Sequence, residues 1–161
     1  MNDWNSFYEK ISDIKFTMLV TRDQAGEMRA RPFTTQAAGK EGAIWFLSRM
    51  DSDAVSEIQH DGDVLLCYAD TAQNRFISSA GHATLSQEAS DIDSLWKPAD
   101  KLFFPGGKED PALVVVRVAL SRADIWDSEK SRMEKLMIMA KAAAGLDADP
   151  RELGKHQTLH K

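Results

Sequence analysis

Six runs of strand-forming residues, each bounded by a short polar link, dominate this chain, and a few stretches with apolar residues at helical spacing lie between or beside them. The runs are "KFTMLVTR" (15–22), "EMRARPFTTQ" (27–36), "AIWFLS" (43–48), "DVLLCYAD" (63–70), "RFISSAGHATLSQ" (75–87) and "LVVVRVALSRADIW" (113–126). Aliphatic, aromatic and β-branched residues suit a pleated, half-buried surface, so each run predicts a strand. "DQAG" joins the first two as a hairpin and "TAQN" joins the fourth to the fifth. Gly81, inside the fifth, predicts a bulge or bend.

Trp4, Phe7, Tyr8 and Ile11 recur at helical spacing behind a cap at Asn2 or Asp3. "SDAVSEIQHDG" predicts a helix from Ser52 to near Gly62, and "EASDIDSLW" a polar helical stretch leading to the loop "FFPGGKEDPA". "SEKSRMEKLMIMAKAAAG" predicts a helix with Met133, Leu136, Met137 and Ala140 on one stripe, closed by Gly145. Residues 1–145 read as one domain and residues 146–161 as a loosely ordered tail. Strands of even length with short links, and no strand-to-helix alternation, favour a mainly β (α+β) fold: an antiparallel barrel of about six strands with peripheral helices.

Composition narrows the partners. The chain has 161 residues, enough for a sizeable core without disulfide or metal. Its formal net charge is -5 and it has no block of lysine and arginine, so neither nucleic acid nor a membrane surface is expected as a partner. No apolar run approaches the roughly 20 residues of a membrane span, and "MNDWNSFYEK" lacks the layout of a signal peptide, so a cytoplasmic location is expected. The single cysteine, Cys67, lies in an apolar strand run and reads as inert packing.

Candidate chemistry is sparse. No G-x-S-x-G, G-x-G-x-x-G or G-x-x-x-x-G-K occurs, which argues against hydrolase and common nucleotide loops. His156 and His160 have a spacing that would share a helix face, but in a tail and without the H-E-x-x-H pattern, so no metal site and no catalytic residue is assigned. The sharper pattern lies upstream. Arg29 and Arg31 alternate along a strand and share a face, "WFLS" follows after a turn, and a helix begins at Ser52. A helix start holds a phosphate readily, and arginine completes such an anion site. With an aromatic wall beside it, this order describes a site for flavin mononucleotide. Each piece also has an ordinary reading: a solvated arginine face, Trp45 and Phe46 as core, "FPGG" as a turn, Trp126 as an interface anchor.

Taken together, "FTMLVTRD", "RARPF", "IWFLSR", "FISSAGHATL", "FPGGKEDPAL", "VRV" and "IWD" occur in an order that resembles the general stress protein 26 group of the pyridoxamine 5'-phosphate oxidase-like flavin-binding split barrels. The resemblance implies a six-stranded split barrel, a homodimer, and FMN (or FAD) in the crevice between subunits. It implies contacts to the cofactor from Arg31, Pro32, Phe33, Phe46, Leu47, Ser48 and Ser52, with Trp126 coming from the partner subunit. It further implies a weak FMN-dependent oxidoreductase using a nicotinamide reductant. The alternatives are a non-enzymatic flavin-binding or redox-sensing protein, and an interaction module that has lost the cofactor. One departure stands out. Asp53 and Ala54 occupy places where relatives carry basic residues for the phosphate, leaving Arg29, Arg31, Arg49 or Arg75 to compensate.

Overall fold

The computed structural model describes residues 3–127, 132–147 and 154–161. Helix α1 (Trp4–Ser12) starts where the Asp3 side chain accepts from the Ser6 N–H at 3.0 Å, and it buries Phe7, Tyr8 and Ile11. Strands β1 (Phe16–Arg22) and β2 (Met28–Thr34) form the expected hairpin, with Val20 opposite Ala30. The two-residue strand β3 (Ala37–Ala38) precedes β4 (Ala43–Arg49), helix α2 (Asp53–His60), β5 (Asp63–Asp70) and β6 (Arg75–Ser86). Helix α3 (Ala89–Leu95), two short 3-10 turns, β7 (Leu113–Asp127), helix α4 (Arg132–Ala143) and β8 (Lys155–His160) complete the chain.

The eight strands of the described residues belong to one antiparallel, curled sheet of the split-barrel kind, in the order β2-β1-β5-β6-β7-β4-β3, with β8 added to β7. Two strands exceed the expected six. β3 is too short to show alternation, and β8, "KHQTLH", reads as polar because Leu159 is its one fully buried residue. Part of the expected tail is therefore a strand paired with Arg122–Asp127, while residues 148–153 lie outside the described residues. The start of the expected fourth helix (128–131) and the side chain of Met133 also lie outside them; Leu136 and Met137 are exposed.

β7 organises the sheet. Its first half pairs with β4, its second half with β8, and its other edge with β6. The register of β6 on β7 shifts between Ala80 and Gly81, the expected bulge. A Cβ on Gly81 would stand 2.6 Å from the Ala119 carbonyl oxygen, so only glycine permits this approach.

β4 is buried on both faces. Ile44 and Phe46 point into the barrel with Leu19, Leu66, Ile77, Val116 and Val118, and α1 plugs that core with Phe7 and Ile11. Ala43 and Trp45 point outward and are covered by Ile92 and Leu95 of α3 and by Phe104. A strand sandwiched this way needs apolar residues at successive positions, which is what "AIWF" supplies.

Candidate ligand cleft

The sheet curls until its two edges, β2 and β3, become neighbours in the chain, joined only by Thr35 and Gln36. β3 covers just Ile44 and Trp45 of β4. Beyond that point, among the described residues, Phe46–Arg49 has β7 on one side and no strand on the other, and β2 likewise pairs only with β1. Pro32 fits this free edge because it has no N–H to offer a second neighbour.

Between the two unpaired edges lies a cleft of about 360 Å³. Pro32, Phe33, Leu47, Ser48 and Ser52 line it, five of the eight residues singled out from sequence. Gln36, Arg49, Asp100, Phe103 and Phe104 line it too. Beneath it Phe33 meets the fully buried Phe46 edge to face, with ring centres 5.6 Å apart.

One end of the cleft is the start of α2. The Ser52 hydroxyl accepts from the Val55 N–H at 3.3 Å and lies 3.4 Å from the Ser48 hydroxyl. Helix geometry leaves the first-turn N–H groups of Asp53 and Ala54 without intrahelical acceptors. The Asp53 carboxylate turns to solvent, 3.4 Å from Arg29, while Ala54 is only 3% exposed. Arg49 supplies the cleft's cation. It holds Asp51 through two hydrogen bonds, of 3.0 and 3.1 Å, and remains half exposed. That pairing pulls the Asp51 carboxyl below its usual range, the hydrogen bond from Arg49 being the larger cause.

Arg29 and Arg31 do share a face, and an anion sits against it: the chain's own Glu57. Arg31 donates to Glu57 at 2.6 Å and to the Thr21 hydroxyl at 2.5 Å, and Arg29 donates to the other Glu57 oxygen at 2.8 Å. Thr21 in turn donates to Glu57. Burial by itself would push the Glu57 carboxyl up, but the Thr21 hydroxyl and the two guanidiniums outweigh it and hold it below the usual range. Arg31 therefore faces α2 and does not line the cleft. Glu57 was not singled out from the sequence. A carboxylate among Ala54, Val55 and Ile58, on the buried side of a helix, is the signal that marks it.

Trp126 stands at the far end of β7 from Leu113, which pairs with Arg49 beside the cleft. Its ring stacks on His156 with centres 4.8 Å apart, so within one chain the cleft and Trp126 are not brought together. Arg75 is also remote, bonded to Asp127 at 3.2 Å. Sequence reasoning missed Gln36 and Asp100. The Gln36 amide nitrogen donates to Asp100 at 3.1 Å, while its amide oxygen is buried and has no donor among the described residues.

A family model described as pyridoxamine 5'-phosphate oxidase like matches residues 2–148. Among solved structures, a general stress protein 26 from Jannaschia sp. CCS1 superposes with a TM-score of 0.82 at 20% identity, covering 100% of both chains. A general stress FMN/FAD binding protein from Xanthomonas citri superposes at 0.69 with 27% identity, covering 80% of this chain and 90% of that one. A protein from Clostridium acetobutylicum related to general stress protein 26 superposes at 0.69 with 13% identity, covering the same shares. No curated protein sequence matches the chain.

Proposed function

We propose, for a chain that belongs to the pyridoxamine 5'-phosphate oxidase-like family, that the cleft between β2 and β4 binds flavin mononucleotide in a homodimer whose second copy closes it. The observation that carries this reading is the cleft itself, an apolar slot between two unpaired strand edges that ends at a capped helix start. The residues fit the cofactor. Ser52, the first-turn N–H groups of α2 and Arg49 form a phosphate end. Pro32, Phe33 and Leu47 form walls for a flat ring system, Phe46 backs them, and Ser48 and Gln36 offer polar atoms to the ring's edge. A buried amide oxygen lacking a donor belongs in a site that receives one from a ligand. Arg31 acts through Glu57, fixing β2 against α2 and so the distance between wall and phosphate end.

The flavin, when bound, supplies hydride or electron transfer, with a nicotinamide reductant. The chain supplies binding, orientation and shielding from water. The light grip at the helix start, where Asp53 and Ala54 offer no cation, favours an exchangeable flavin and keeps a non-enzymatic carrier or sensor as the second reading.

The second copy has a surface to occupy. Phe16, Met18, Met28, Phe76 and Trp126 are exposed, and all belong to the contiguous strands β2-β1-β5-β6-β7. Met18 lies between Pro32 and Cys67, and Phe76 lies opposite Trp126. Contiguous exposed apolar surface of this kind marks association, and it brings a second chain's Trp126 into play.

Titration of the purified protein with FMN, followed by flavin fluorescence, tests the reading together with light scattering. Saturable binding by a dimer is expected. In Met18→Lys, a charge in the apolar patch should give a monomer that binds FMN more weakly. A monomeric parent protein, or no saturable FMN signal, refutes the proposal.

A further inference from the structure

We infer that Gln36 is the specificity-determining residue of the cleft, reading the imide edge of a flavin ring by accepting a hydrogen bond from the ring N3–H. The inference rests on the proposed flavin binding and concerns the recognition of the ring rather than the phosphate. Gln36 is positioned by three contacts. Its backbone N–H donates to the Trp45 carbonyl at 2.8 Å, its carbonyl accepts from the Lys97 ammonium at 3.1 Å, and its side-chain nitrogen donates to Asp100 at 3.1 Å.

The third contact settles which way the amide faces. Asp100 is buried, and its second oxygen already accepts from the Lys97 N–H at 2.7 Å. An ionised carboxylate only accepts, so the nitrogen of Gln36 must be the atom turned to it and the oxygen the atom turned away. That oxygen is buried with no donor among the described residues, in a residue that lines the cleft together with Ser48 and Phe33 and also lines a neighbouring cleft of about 410 Å³. Hydrogen bonding to a carboxylate polarises the amide and makes its oxygen a stronger acceptor. The oxygen and nitrogen of the amide turn together about the soft terminal torsion, so only a small rotation is available, one that tips the oxygen toward a ligand and keeps the nitrogen within hydrogen-bond reach of Asp100.

The ligand chemistry follows from the pair of groups. Glutamine offers an acceptor and, through its second N–H, a donor side by side. An imide offers the complement, an N–H flanked by carbonyl oxygens. The pyrimidine part of the isoalloxazine carries that group, and a purely apolar aromatic ligand does not.

The test compares FMN with its 3-methyl derivative, which replaces the N3–H by a methyl group and leaves the phosphate untouched. Dissociation constants are read by fluorescence for the parent protein and for Gln36→Leu, whose fold is checked by circular dichroism. The parent is expected to bind FMN about tenfold tighter than 3-methyl-FMN, the scale of one hydrogen bond to a polarised acceptor. Gln36→Leu is expected to bind FMN as weakly as the parent binds 3-methyl-FMN, with no preference left between the two. Equal binding of both ligands by the parent overturns the inference while the flavin reading stands, and needs no variant to fold. A preference that persists in Gln36→Leu overturns it too, because steric exclusion of the methyl group would then be the cause. Failure of the parent to bind FMN at all removes the flavin reading and the inference together.

Discussion

Replacing Glu57 by glutamine tests whether the two arginines of β2 serve the fold. Glutamine keeps the size of the side chain and an oxygen for the Thr21 hydroxyl, but removes the charge that Arg31 and Arg29 share. Arg31 is 20% exposed and its partner 6%, so that contact is a largely desolvated charged hydrogen bond worth about 1.5–3 kcal/mol. Arg29 is 48% exposed and solvent screens it, which limits its share to about 0.2–1 kcal/mol. The expected loss at neutral pH is therefore about 2–4 kcal/mol. For a chain of this size each kcal/mol moves the melting temperature by about 2–4 °C, so Glu57→Gln should melt about 4–16 °C below the parent by circular dichroism.

The sign of the pH dependence follows from the direction of the Glu57 shift. Its carboxyl is held below the ordinary value in the folded chain, so its stabilisation is fully present above the unfolded value of about 4.3 and is lost as the pH falls through the folded one. The gap between parent and variant should shrink on acidification. A variant that melts within a degree of the parent at pH 7, or a gap that widens toward pH 3, refutes the reasoning. Arg31→Ala supplies the second arm. It should lower stability and weaken FMN and riboflavin alike, whereas a loss confined to FMN would put Arg31 on the phosphate.

Arg49→Ala, by contrast, should leave stability near the parent and weaken FMN more than riboflavin, with a difference that narrows as salt rises because the group is half exposed; equal losses in a fluorescence titration would remove Arg49 from the phosphate end. Ala54→Lys, which looks from the sequence like a surface change that restores a missing cation, should instead destabilise by about 1–3 kcal/mol through overpacking, since Ala54 is buried. A lysine variant that melts like the parent and binds FMN more tightly would show that this position opens toward the phosphate.

The contrast between these residues shows where sequence reading succeeds. Strand alternation and capping are local properties, so the shared face of Arg29 and Arg31 and the helix start at Ser52 were legible from the residues, whereas Pro32, Phe33 and Leu47, which line the cleft, came only from the family resemblance. Their partners are not local. Glu57 meets Arg31 only because β1, β2 and α2 pack together, a relation no spacing encodes. Asp100 reaches Gln36 across 64 positions, from a 3-10 turn without a motif. Ala54 belongs with them: it stands where the resemblance expects a basic residue, but α2 turns Ala54, Val55 and Ile58 inward, which its place in the sequence does not show. β3 and β8 escaped because one is two residues long and the other borrows its burial from β7.

The position of the cleft follows from topology more than from any single residue. A sheet that closes completely leaves no strand edge free, and this one closes through covalent continuity at Thr35 and Gln36 instead of through a full ladder between β2 and β4. Backbone polar groups are left on the facing edges there, and Phe33 on Phe46 seals the floor so that the gap does not reach the core. A ligand in the gap meets the backbone groups left unpaired on the facing edges, so its departure breaks no sheet hydrogen bond. Stability should accordingly rise with FMN only as mass action requires, by RT ln(1 + [L]/Kd), and by about 2.7 kcal/mol at a concentration one hundred times Kd. A melting temperature that keeps to that relation across a concentration series, with a cooperative transition in its absence, is the behaviour of a barrel that folds first and binds afterwards. A transition that becomes cooperative only with FMN present would mean that the ligand is part of the core, and that the unpaired edges of β2 and β4 cannot stand alone.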